Sequence, residues 1–132
     1  LSGLENVEVV QAAAGDAPGE LLMEAGADPS LARRAPAGAG AIAVRAITLD
    51  GLWQVHGRPA VSALKIDVEG AEPAVVRGAS ALLQECRPAI LAEANGHKER
   101  DELTALLEPL GYERSQPEGF AAFNYLFVAR PR

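Results

Sequence analysis

An apolar run of strand length, Val61 to Ile66, gives way to an acid-rich turn, Asp67-Val68-Glu69-Gly70-Ala71-Glu72, and Pro73 then stands where a helix can begin. A mostly apolar run of this length suits a strand covered on both faces, the situation of a central strand in a parallel sheet. Proline at the first helical position forfeits no hydrogen bond, because that N–H has no intrahelical partner. Val75, Val76, Ala79, Leu82 and Leu83 then recur at helical spacing as one apolar stripe, predicting a single helix that Arg87-Pro88 ends. Ala89 to Ala92 reads as the next strand, closing on Glu93-Ala94-Asn95-Gly96. Leu103, Leu106, Leu107 and Leu110 mark a second amphipathic helix, which Gly111 stops. Strand, helix, strand, helix is the order of a right-handed parallel unit, so the expected class is α/β.

Val7 to Val10 is β-rich and runs into small residues and a Gly15-Asp16 turn, predicting a first strand. From Ala17 to Gly40 the abundance of Ala, Gly and Pro predicts a mobile loop, with a helical patch around Leu21-Leu22-Met23 and a basic pair at Arg33-Arg34. Ala41 to Ile47 reads as a strand, and Thr48-Leu49-Asp50 can cap the short apolar segment Leu52 to Val55. Two β segments, Tyr112 to Arg114 and Asn124 to Ala129, predict a terminal antiparallel pair. The Gly38-Ala39-Gly40 patch precedes a strand instead of following one, so it is not a dinucleotide loop. One domain over residues 1–132 accommodates all of this.

Eighteen acids against 12 bases give a net charge of −6 with no basic run, which argues against a nucleic-acid partner. The lone Cys86 excludes an intrachain disulfide and a cysteine-based zinc cluster, in keeping with a cytoplasmic protein. No apolar stretch reaches the roughly 20 residues that span a bilayer, so no membrane partner is expected. The sequence opens on Leu1, not Met, which raises the expectation of residues upstream.

In an open α/β sheet ligands bind beyond the carboxyl ends of the parallel strands. Two strands here end in polar groups: the first delivers Asp67, Glu69 and Glu72, the second Glu93 and Asn95, with His97 just beyond. Acids crowded at one strand end suit proton abstraction, because repulsion and partial burial raise a carboxyl pKa. They equally suit stabilisation of the following helix terminus, worth roughly 0.3–1 kcal/mol per charge. Glu72 fits either work, and His97 is a second candidate base. Asp67, Glu93 and Asn95 together form an oxygen set suited to magnesium or manganese.

Leu64-Lys65-Ile66-Asp67-Val68-Glu69-Gly70-Ala71-Glu72, followed by Arg77-Gly78-Ala79, Arg87-Pro88 and Glu93, resembles the FkbM methyltransferase family. Asn6-Val7 through Ala14-Gly15-Asp16, and Val44 to Leu49-Asp50, are also similar to it in order and spacing. The resemblance implies a class I methyltransferase fold, a Rossmann-like and mostly parallel sheet with an antiparallel carboxy-terminal pair. It implies S-adenosylmethionine as methyl donor and a small molecule's hydroxyl, on a sugar or natural product, as acceptor. It makes Asp67 the first candidate base, and puts Ala14 and Asp16 beside the cofactor, Asp16 facing the adenine amino group. The family's glycine-rich loop and ribose-binding acid have no counterpart in these residues, so the fold is expected to be N-terminally incomplete and the isolated chain inactive. The alternative is a non-catalytic α/β module, a truncated relative that binds a partner protein through the surface the missing strands would cover, or a second copy of itself through an exposed sheet edge.

Overall fold

The computed structural model describes residues 3–24, 33–34, 38 and 40–132. Its strands form two four-stranded sheets. The first contains β1 (Ala13–Ala14), β2 (Gly19–Glu24), β3 (Arg33–Arg34) and β4 (Ala41–Ile47), in the order β1-β4-β2-β3. The second contains β5 (Ala63–Ile66), β6 (Ala89–Glu93), β7 (Tyr112–Ser115) and β8 (Asn124–Ala129), in the order β5-β6-β8-β7. Among the described residues only β1 with β4 and β5 with β6 pair in parallel; the other pairings are antiparallel. The class is therefore α/β, as expected, but the strands do not assemble into one mostly parallel sheet. The terminal antiparallel pair is present, with Tyr112 opposite Ala129.

Val7 to Val10, expected as a strand, has no ladder partner here, and Val7 and Val9 stay 49% and 63% exposed. Pairing begins only at Ala13, opposite Ala46. Leu21-Leu22-Met23, expected as a helical patch in a loop, is instead the middle of β2, aligned antiparallel to β4. Cross-strand pairing overrides the weak helical preference of three long apolar side chains. The rest of the expected mobile loop falls partly on residues 25–32, 35–37 and 39, outside the described residues.

Between the sheets runs α1 (Leu49–Val55), capped as anticipated by Thr48, whose hydroxyl accepts the Gly51 N–H at 3.0 Å. The stripe from Val75 to Leu83 is buried throughout, yet it belongs to two helices, α2 (Glu72–Arg77) and α3 (Ser80–Cys86). Asp50 explains the break. Its carboxylate accepts the N–H groups of Ala81 and Leu82 at 3.0 and 2.9 Å, and its own N–H donates to the Gly78 carbonyl at 2.8 Å. A cap supplied from α1 thus replaces the hydrogen bonds that would have carried one helix through. α4 (His97–Leu107) and a 3₁₀ turn, Glu108–Leu110, precede Gly111, whose φ of 85° ends the helical run in the left-handed region.

The core lies between the second sheet and these helices: Ile66, Ile90, Phe127, Val75, Leu83, Leu103 and Leu107 are buried together with Trp53 and Tyr112. β5 departs from its expected place at the centre of a sheet. It lies at one end, and Ala63 and Lys65 are exposed.

Candidate functional site

β5 and β6 run parallel with Ile66 opposite Ala92, so Asp67 and Glu93 emerge at the same end of the sheet. The Asp67–Ala71 turn needs two left-handed residues, Glu69 at φ 50° and Gly70 at φ 96°. Glycine adopts this without a Cβ penalty, whereas for Glu69 it costs about 1–2 kcal/mol. Glu72 holds the turn closed. Only 1% exposed, it accepts the Val68 N–H on Oε1 at 3.1 Å and the Gly70 N–H on Oε2 at 3.0 Å. Charge-assisted bonds of this kind are about twice as strong as neutral ones, enough to offset the strain at Glu69. Both oxygens of Glu72 are thus committed to the backbone, which makes it a positioning group for the turn that carries Asp67.

The turn forms one wall of a cleft of about 690 Å³. Ala12 to Ala14 and the β2 residues Leu21 and Met23 also line it; Pro73, Ala74 and Arg77 of α2 and Glu102 of α4 complete the lining. Asp67 and Glu69 are the acids that the turn contributes. Glu93 adjoins them, and its carboxyl is pushed above the usual range, first by burial and then by the charge and hydrogen bond of Asp67, with Glu69 and Glu72 adding to the effect. Asp67 and Glu93 therefore form a coupled acid pair at the parallel strand ends.

Ala14 lies in the cleft wall, and Asp16 joins it through Arg77, whose guanidinium stands 3.8 Å from Asp16 and 3.1 Å from Glu102. Close packing sets this spacing. A Cβ built on Gly78 would meet the Gly15 carbonyl oxygen at 2.0 Å, so the turn after β1 presses directly on the end of α2. Asn95 and His97 are exposed and do not line the cleft; His97 opens α4. Among the described residues no group of three or more His, Cys, Asp or Glu side chains is arranged to hold a metal ion, and of the oxygen set Asp67, Glu93 and Asn95 only Asp67 lines the cleft.

The sequence reading missed Leu21, Met23 and Glu102 as cleft residues, and gave Arg77 no task. Three consecutive apolar residues show no alternation, so nothing in Leu21-Leu22-Met23 distinguishes a wall of a cleft from a patch of helix. Glu102 and Arg77 are 25 residues apart and meet only through the packing of α2 on α4.

Residues 3–114 match the family model described as the methyltransferase FkbM domain. No curated protein and no solved structure gives a significant match.

Proposed function

Because the chain belongs to the FkbM methyltransferase family, we propose that it is part of an S-adenosylmethionine-dependent enzyme that methylates a hydroxyl oxygen of a small molecule. The observation that carries the reading is the acid pair Asp67 and Glu93 at the ends of two parallel strands, beside a cleft of ligand size. S-adenosylmethionine, when bound, supplies an electrophilic methyl group on a sulfonium centre. The cleft suits that cofactor in volume, and the small side chains Ala12 to Ala14 allow a flat ring to approach the main chain closely. Ala14 and Asp16 are the residues proposed to meet it. The family's glycine-rich loop is proposed to come from outside these 132 residues, as part of one methyltransferase domain.

With the methyl donor bound, Asp67 would accept the proton that leaves the acceptor hydroxyl. Glu93, its carboxyl pushed above the ordinary range by burial and by the charge of Asp67, stands beside that base at the same strand ends. Glu72 fixes the turn from which Asp67 projects. Alignment of the acceptor with the methyl group provides the rest of the rate. Asp67→Asn in the full-length protein should lower turnover roughly 10²–10⁴-fold while leaving S-adenosylhomocysteine affinity nearly unchanged. Turnover at the wild-type level would refute the base.

A non-catalytic module is favoured by one observation, the exposure of Ala63 and Lys65 on the end strand β5. It requires elution as a dimer that Lys65→Pro disperses, together with no affinity for S-adenosylhomocysteine in any longer form of the protein. No described helix is long and apolar enough to cross a membrane.

A further inference from the structure

The apolar lining of the cleft does not stop at the cleft. Leu21 and Met23 line it, and in the antiparallel ladder Leu21 pairs with Val44 and Met23 with Ile42. Directly paired residues share a face of the sheet, so Val44 and Ile42 extend the apolar wall across β4. Ile42 is 58% exposed, an apolar surface continuous with the cleft lining. The charged part of the lining is acidic: Arg77 is the only cation among the described lining residues, and Glu102 and Asp16 already engage it. Asp67 and Glu69 therefore set the local charge. Such a site attracts hydroxyl donors and repels anions.

We infer that the face formed by Leu21, Met23, Val44 and Ile42 seats the apolar body of the acceptor, and that the acceptor is an uncharged amphiphilic alcohol whose hydroxyl reaches Asp67. This rests on the reading of Asp67 as the group that receives the hydroxyl proton. It makes Leu21, Met23 and Ile42 specificity residues: the acid wall selects the polar head and the sheet face selects the tail. Each methylene fully buried there is worth about a factor of four in affinity. A free sugar, which has hydroxyls but no tail, is held poorly.

Met23 is the only methionine in the sequence, so its ¹³C-labelled methyl group is a single resonance inside the proposed site. The labelled protein is titrated with n-octyl β-D-glucoside, D-glucose and n-octyl sulfate, each below its micelle-forming concentration. The glucoside should shift the resonance saturably, at least about tenfold more tightly than glucose and more tightly than the sulfate. Ile42→Lys, a change at an exposed position, should weaken the glucoside severalfold. An unmoved methyl resonance, glucose binding as well as the glucoside, or octyl sulfate binding equally well would each overturn the inference. The readout is a resonance and not turnover, so absence of methyl transfer would refute the proposed function without altering this result.

Discussion

Gly78→Ala sets two effects of opposite sign against each other. Gly78 has φ −76° and ψ 0°, an ordinary conformation for alanine, so the unfolded chain's loss of freedom should favour the variant by about 0.4–1 kcal/mol. Against that, the new Cβ would sit 2.0 Å from the Gly15 carbonyl oxygen and 3.1 Å from its carbon, both backbone atoms. The two segments must separate by roughly 1 Å to reach the closest contact that real Cβ atoms show, an overpacking of about 1–3 kcal/mol. Separation also strains the hydrogen bonds from Gly15 N–H to the Ile47 carbonyl, 2.9 Å, and from Asp50 N–H to the Gly78 carbonyl, 2.8 Å. These add about 0.5–1.5 kcal/mol each. The clash wins, by about 1–5.5 kcal/mol. Trp53, the only tryptophan and 4% exposed, reports unfolding by its fluorescence in urea. At a slope of about 2 kcal/mol per molar, the midpoint should fall by roughly 0.5–3 M. A midpoint equal to or above wild type would refute the close approach of β1 and α2 on which the shape of the cleft depends.

Glu72→Gln should destabilise the protein by about 2–3 kcal/mol, because an amide NH₂ must face one of the two N–H donors; faster hydrogen exchange at Val68 and Gly70 would locate the damage. Glu93→Gln tests the acid pair by pH. The folded-state pKa lies above the ordinary value near 4.5, so ionisation of Glu93 weakens the fold as pH rises through the folded pKa, and acidification relieves that penalty. The variant should exceed wild type in urea midpoint at pH 7, with the gap closing as pH falls toward 4; a gap independent of pH would discard the coupling. Calorimetric titration of the 132-residue chain with S-adenosylhomocysteine should give no sub-micromolar binding, and tight binding would mean that the cofactor contacts are misassigned.

How much of this was legible in the sequence depends on the range of the interaction that decides each element. Helix α4, the strand after Pro88 and the terminal pair follow from periodicity and local breakers, and they stand close to where the residues put them. The division of the helix after Pro73 was not legible, because Asp50 enforces it from 31 positions upstream of Ala81. β2 was not legible for the same reason: its strand character comes from β4, not from Leu21-Leu22-Met23 themselves. In the site, the family motif put Asp67 and Glu69 at a strand end and the parallel pairing brings Glu93 to them. Glu72, in contrast, is distinguished from its acidic neighbours only by burial, which three acids in one turn do not reveal.

Asp50 has a kinetic meaning as well. A seven-residue helix such as α3 cannot persist alone in water, and the carboxylate that satisfies its first N–H groups belongs to α1. α3 cannot be an early island of structure. It can consolidate only after the intervening chain, including β5 and α2, has closed into a loop that returns to α1, and that closure is entropically unfavourable before the cap rewards it. Substitutions at Asp50 should accordingly speed unfolding more than they slow folding, and the order in which the halves of the broken helix form is set by a residue in neither of them.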